Sequence, residues 1–323
     1  MTRVVITGAT GFLGLVVRQA LERVNMQADG VDSRPAPGVA VVDVCHQEQL
    51  DAEFGAGPTP AAVVHLAAAG SGDRGLVAGA DADTAQAVRT NVEGFVHVVQ
   101  AAARHGVPRV VWSSSTTVYG PLAGYGDGPI DETAPLRPAT AYGATKAACE
   151  HLGPVLAQRL GIDVVSLRLP MVYGPGRWYG GSQTPLVALA EAIRRGTPVA
   201  VHAWEGNADW VHVDDAATAI ISLLQAPTPR AAYHVVGHRG SFADLARALV
   251  TCAGGNTEQV IVQPVADGTP DLPATDDAAL RADTGFVAAF PNSLSGAASY
   301  FASAFTPQDG GTTGPPTPPR SPR

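Results

Sequence analysis

The chain has 323 residues, 46% of them hydrophobic and 15% charged, and its 29 acidic side chains outnumber 21 basic ones to give a net charge of −8. A chain of that size buries a sizeable core without disulfide staples, and the acidic balance excludes a protein that grips nucleic acid through a basic face. No apolar run approaches the ~20 residues that cross a bilayer. The three cysteines (Cys45, Cys149, Cys252) form neither a metal-type cluster nor a disulfide framework. With no apolar leader ahead of a small-residue cleavage site, the expectation is a cytoplasmic α/β chain with no nucleic-acid or membrane partner.

In chain order, the β-branched run Val4-Val5-Ile6 leads into Thr7-Gly8-Ala9-Thr10-Gly11-Phe12-Leu13-Gly14 and then an apolar-periodic segment, Phe12 to Val24. That spacing predicts strand, tight turn and helix. Gly8 permits the sharp turn, Gly11 lets backbone approach a pyrophosphate, and Gly14 allows close helix–sheet packing. Val31-Asp32 ends the next strand, 18 residues beyond Gly14. A carboxylate there accepts from ribose hydroxyls and repels a 2′-phosphate, which favours NAD over NADP.

Further continuous apolar runs follow at Ala40–Val42, Ala62–Leu66, Val110–Trp112 and Val164–Leu167. Their continuity predicts strands buried on both faces, as in a parallel sheet. Long helices are expected at Thr84 to His105 and Ala141 to Leu160, completing a doubly wound α/β pattern. After Pro170 the rhythm changes to turn-rich pieces, a helix around Pro185 to Arg195, a strand at Trp210 to Val213 and a helix from Asp214 to Gln225. The Pro-, Gly- and Thr-rich stretch 306–323 reads as a disordered tail, too poor in apolar side chains to offset its ordering entropy.

Two clusters carry chemistry. Tyr142 and Lys146 stand one turn apart on a helix face, where an ammonium lowers the phenol pKa and makes Tyr142 a general acid or base. The hydroxyl-rich Ser113-Ser114-Ser115-Thr116-Thr117 sits at a predicted strand end, where a serine can hydrogen-bond a substrate oxygen. His65, His97 and His212 fall within apolar runs and read as hydrogen-bonded core residues, as Cys149 reads as core packing, so no metal is expected.

The glycine loop, Asp32, His65-Leu66-Ala67-Ala68, Asn91, the serine-rich strand end and Tyr142/Lys146 together resemble the short-chain dehydrogenase/reductase superfamily. Val172-Tyr173-Gly174-Pro175-Gly176 and Trp210-Val211-His212-Val213-Asp214-Asp215 resemble its extended branch, which includes the NAD-dependent epimerase/dehydratase family. The likeness spans about residues 3 to 290. It implies a Rossmann-type NAD-binding domain over 1–170, with a returning segment at about 208–236. A smaller α/β substrate-binding domain, mainly 171–305, would complete a homodimer built on the helices around 91–105 and 141–160. On this resemblance Gly8, Gly11, Phe12, Leu13 and Gly14 hold the pyrophosphate, Asp32 the ribose, Asp43 and Val44 the adenine, and Leu66, Ala67 and Ala68 line the cofactor. Ser115, Tyr142 and Lys146 are the catalytic set, the last two also touching NAD, and Thr116, Thr117, Met171, Arg177 and Trp178 face a small-molecule substrate.

Departures from the family pattern narrow the reaction. Thr116 and Thr117 replace the Asp-Glu pair of the 4,6-dehydratases, which argues against dehydration. Ala208 replaces an arginine that holds a diphosphate in nucleotide-sugar enzymes, and Pro264–Gly268 lacks a second one. Two missing charge-assisted contacts are worth roughly 1.5–3 kcal/mol each; Arg177 and Arg239 are candidates to replace that charge. Met171, where many members have Asn, makes the pocket less polar. The Gly- and Asp-rich stretch from Ala69 to Ala85 is longer than the family norm and reads as either a lid or a surface insertion. The expected activity is hydride transfer at a secondary alcohol or ketone carbon. Its alternatives are a nucleotide-sugar 4-epimerase and, more remotely, an inactive dinucleotide-sensing regulator.

Overall fold

The computed structural model describes residues 2–70, 74–177, 183–196, 201–204, 206–263 and 272–302. The first β-branched run forms β1 (Thr2–Thr7), buried from Arg3 onward. It is followed by α1 (Phe12–Arg23), β2 (Met26–Asp32), β3 (Val39–Val41), α2 (Gln47–Gly55) and β4 (Ala62–His65). Next come α3 (Gly75–Ala82), α4 (Thr84–Val88), α5 (Gly94–Arg104), β5 (Arg109–Ser115), α6 (Ala141–Leu160) and β6 (Asp163–Leu169). These strands join one seven-stranded sheet whose order from one edge is β3-β2-β1-β4-β5-β6, with every pairing parallel.

Apolar layers cover both sheet faces, which is why the strands carry continuous rather than alternating apolar residues. One layer gathers Val17, Leu21, Ile220 and Leu223. The other gathers Leu50, Phe54, Phe95 and Val99. This is a Rossmann-type doubly wound fold. Its strand order reverses between β1 and β4, so a crevice opens beyond their carboxyl ends, the site where such sheets bind ligands.

The stretch expected as one helix from Thr84 to His105 is interrupted by a π turn at Arg89–Glu93. The extra residue in that turn re-aims a side chain. Buried Asn91 uses it to accept the Ala69 N–H at 2.8 Å and to donate to Thr145 Oγ1 at 2.9 Å. The π turn therefore ties the end of β4 to the face of α6.

Beyond β6 lie β7 (Met171–Tyr173), α7 (Thr184–Arg195), β8 (Val201–Trp204), β9 (Asn207–His212), α8 (Val213–Gln225) and β10 (Ala232–His234). The remaining elements are β11 (His238–Ser241), α9 (Phe242–Cys252), β12 (Val260–Gln263), α10 (Ala278–Thr284) and α11 (Ser293–Ala302). Strands β11, β9 and β7 make a small sheet of their own, and β12 pairs with β8. A separate apolar core of Tyr173, Trp210, Phe242 and Leu249 lies here. The chain then returns: α8 lies against α1, and β10 pairs with β6 as the seventh strand of the large sheet. No helix among the described residues is long and apolar enough to cross a membrane. The tail at 306–323, Trp178 and the segment Pro264–Gly268 lie outside the described residues.

Candidate active site

Gly8 turns the chain at the end of β1 with a φ of +72°. A Cβ on Gly14 would stand 2.2 Å from the Gly8 carbonyl oxygen, so only glycine lets α1 start this close to the strand. No side chain caps α1 at Gly11, and a helix start without its own acceptor suits a phosphate oxygen. Gly8, Gly11, Phe12, Leu13 and Gly14 line one end of a cavity of about 1450 Å³.

Asp32, Asp43, Val44, Leu66, Ala67 and Ala68 line the same cavity. Asp32 is buried and accepts the Thr10 N–H at 3.0 Å and the Thr10 hydroxyl at 2.8 Å on one oxygen. Its other oxygen accepts the Arg34 N–H at 3.0 Å. The carboxylate is thus locked at the end of β2, facing the strip that runs from the glycine loop past Leu66. An uncapped helix start, a close-packed glycine turn and a fixed carboxylate in one cavity are the parts a dinucleotide needs, so the residues present fit NAD.

The hydroxyl cluster at the end of β5 meets the middle of this cavity, where Ser115, Thr116, Thr117 and Tyr142 all line the wall. Ser115 caps a 3₁₀ turn at Thr116–Val118. Its Oγ accepts from the Thr117 N–H at 3.2 Å and the Thr117 hydroxyl at 3.0 Å. With its lone pairs so used, the Ser115 hydroxyl is set to donate its own proton into the cavity.

Thr140 caps α6 through the Gly143 N–H, and Asp81 accepts the Ala141 N–H at 2.9 Å. Gly143 presses the helix start against this turn, since a Cβ there would lie 2.1 Å from the Thr117 carbonyl oxygen. That approach sets Tyr142 beside the strand end that carries Ser115. Gly143→Ala must push the two elements apart against backbone, an overpacking cost of about 1–3 kcal/mol. The expected outcome is a melting temperature lower by several degrees and turnover reduced about 10–100-fold. NAD affinity is expected to stay within a few-fold, checked by thermal melts, steady-state kinetics and cofactor titration.

Lys146 does not line the cavity. It is buried beneath, its Nζ donating to the Ser113 carbonyl at 2.7 Å and lying 5.6 Å from the Tyr142 ring centre. Burial pulls its pKa down to about 8, against the opposing pull of Cys149 and Glu150 on the same helix. Glu150 is itself clamped to Arg168 by contacts of 2.6 and 2.9 Å, which fixes α6 on β6. His65 is held neutral, its pKa pushed down to about 3 by burial, with Nδ1 2.7 Å from Thr7 Oγ1. The Cys149 thiol donates to the Asn91 carbonyl. Among the described residues no group of three or more His, Cys, Asp or Glu is placed to hold a metal ion.

The other end of the cavity is walled by Leu169–Val172, Arg177, Gln183, Asn207–Asp209 and Arg239. Met171 and Arg177 are therefore on the wall where the sequence placed them. Arg177 donates to the Val172 carbonyl at 3.1 Å and stacks over Phe12, joining this wall to the glycine loop. In the long stretch after β4, α3 brings Leu76, Ala78 and Asp81 to the cavity wall and packs Ala80 against Tyr142. Sequence reasoning flagged that segment as a lid or an insertion. It missed Gln183 and Asn207, which have no local signal.

Comparison with known proteins bears on this arrangement. The profile of the NAD dependent epimerase/dehydratase family matches residues 4–236. A dTDP-glucose 4,6-dehydratase of Streptomyces niveus is 30% identical over 246 residues, 76% of this chain and 69% of that protein. A uronate dehydrogenase of Pseudomonas syringae pv. tomato is 30% identical over 171 residues, 52% of this chain and 58% of that protein. The crystal structure of the UDP-glucose 4-epimerase of Thermus thermophilus in complex with NAD superposes with a TM-score of 0.77 at 25% identity, covering 93% of this chain and 99% of that one.

Proposed function

Because the chain belongs to the NAD-dependent epimerase/dehydratase family of extended short-chain dehydrogenases/reductases, we propose that it moves hydride at a secondary alcohol or ketone carbon of a small hydroxylated substrate. The carrying observation is that Ser115 and Tyr142 share one cavity wall with Lys146 buried beneath, and that the cavity continues to the glycine loop. NAD, when bound, supplies the hydride acceptor. Gly8, Gly11 and Gly14 hold its pyrophosphate and Asp32 its ribose. Ser115 donates a hydrogen bond to the substrate oxygen and orients it. Tyr142 takes the hydroxyl proton as the C–H hydride leaves, giving the ketone, and returns it in the reverse direction. The buried Lys146 charge favours the phenolate, and α3 helps to keep water from the reacting oxygen.

Thr116 and Thr117 cannot act as an acid–base pair near neutral pH, which supports net oxidoreduction over dehydration. A second reading is a nucleotide-sugar 4-epimerase, favoured by the relatives themselves. Against it stands Ala208 on the cavity wall, where a diphosphate-holding arginine is wanted. We also infer a homodimer through the outer faces of α5 and α6, where Val155 is half exposed, and residence in the cytoplasm, in keeping with three unpaired cysteines.

The test is to purify the protein, quantify retained NAD, and follow NADH absorbance with aldoses and sugar acids. Net NADH formation, exchangeable NAD and no rise in melting temperature with UDP are expected. Tightly retained NAD with UDP stabilisation and no net NADH overturns this reading in favour of the epimerase.

A further inference from the structure

We propose that Arg239, held by Asp209 across the β9–β11 ladder, is the binding site for a carboxylate on the substrate, so that the substrate is a hydroxy acid. This rests on the oxidoreductase reading of the same cavity. The antiparallel register sets Arg239 directly opposite Asp209, and the Arg239 Nη1 donates to Asp209 Oδ1 at 2.9 Å. The second Asp209 oxygen accepts the Thr275 N–H at 2.8 Å and the Thr275 hydroxyl at 2.9 Å. Asp209 is buried and its oxygens are engaged, so it orients the guanidinium and has little left to offer a ligand.

Arg239 is differently placed. Its side chain is about a third exposed (35%), and both it and Asp209 line the cavity. Among the described residues its guanidinium makes that single hydrogen bond, which leaves most of a planar five-donor fork for an oxyanion. The same end of the cavity mixes apolar side chains (Leu169, Met171, Leu272, Pro273) with the polar Gln183 and Asn207, a lining that suits a ligand carrying both a charged and a hydroxylated end.

A second, independent feature points to a hydroxylated ligand. Gln183 lines the same cavity and is only 3% exposed. Its Nε2 donates to the Val172 carbonyl at 3.1 Å, which fixes the amide orientation. Its Oε1 is buried without a hydrogen-bond partner among the described residues. A buried acceptor left open costs stability until a donor arrives, and a substrate hydroxyl is such a donor. Arg239 also borders a second groove, lined by His238, Asp244 and Asn292 among others. An anion is repelled there, so the cavity side is where the carboxylate sits.

The experiment is calorimetric titration of the NADH-loaded protein, in which an alcohol substrate binds without turning over. D-Glucuronate, D-galacturonate, D-gluconate and L-threonine are compared with D-glucose, D-galactose and UDP-glucose. At least one carboxylate is expected to bind ten-fold or more tightly than the neutral sugars. Arg239→Gln is expected to remove that preference by about 10–100-fold, and Arg239→Lys to keep part of it. NADH affinity, unchanged in both variants, reports an intact fold. Absence of a carboxylate preference overturns the assignment. So does a preference that survives Arg239→Gln, or tighter binding of UDP-glucose that depends on Arg239, which would give the fork to a diphosphate. If carboxylates bind through Arg239 yet no NADH forms when they are mixed with NAD, the site stands and the oxidoreductase reading falls.

Discussion

Tyr142→Phe is expected to lower turnover about 10³-fold while NAD binds within a few-fold of the wild-type affinity. The ring, the start of α6 and the contact with Ala80 are all retained, so what is removed is the phenolic oxygen and its proton. Positioned acid–base catalysis contributes about 10²–10⁴-fold, and the nearby carboxylate on the wall, Asp81, is held by the Ala141 N–H at the start of α6. Among the described residues no histidine lines the cavity. Tyr119 does line it, but burial raises its pKa, its hydroxyl contacts His234 Nε2 at 2.7 Å, and it accepts from Arg168. Ser115, Thr116 and Thr117 are alcohols that do not ionise near neutral pH. The measurement is steady-state NADH formation on the substrate found in the screen, with cofactor titration alongside. Turnover within a factor of three of wild type would assign the proton to another group and break the mechanism.

The parts of the site that were legible in the sequence are those encoded by short spacing. Gly8, Gly11 and Gly14 lie on one turn, Tyr142 and Lys146 on one helix face, and Ser115 at the end of a β-branched run. Each signal is local, and the strand-to-helix alternation was enough to predict a parallel sheet with these residues at its carboxyl edge. What stayed hidden depends on register between distant segments. Arg239 was only a candidate to replace missing charge, because its pairing with Asp209 exists through the β9–β11 ladder alone. Gln183 carries no motif, and its open acceptor follows from burial. The π turn at Arg89–Glu93 interrupts a stretch whose apolar periodicity reads as one plain helix. The insertion after β4 was visible as extra length. That it packs on Tyr142 follows from Asp81 and Ala80 reaching α6.

Lys146→Met is expected to make the protein without cofactor more stable and far less active. Lys146 keeps its ammonium buried at a depressed pKa of about 8, against the ordinary 10.5. Below pH 8 the ammonium is charged in both folded and unfolded chains, and the folded one bears the full desolvation penalty. Between pH 8 and about 10.5 the unfolded chain holds a proton the folded chain has released, so wild-type stability climbs with pH across that window. Above it the penalty is gone. A methionine of similar length removes the charge, while the Ser113 carbonyl loses its Nζ donor, which offsets part of the gain. The net effect at pH 7 is about 1–2 kcal/mol in favour of the variant, or a few degrees of melting temperature, shrinking toward zero or reversing by pH 10.5. Turnover falls about 10²-fold or more, since among the described residues Lys146 is the cation packed against the Tyr142 ring to favour its phenolate. Thermal melts at the two pH values, with turnover at pH 7, read both effects. A variant less stable than wild type at pH 7 would show that the fold already compensates the ammonium. In that case the lysine pKa is not depressed, and turnover of the variant alone tests the charge: activity within a factor of three of wild type at pH 7 would remove Lys146 from the role of setting the phenol of Tyr142.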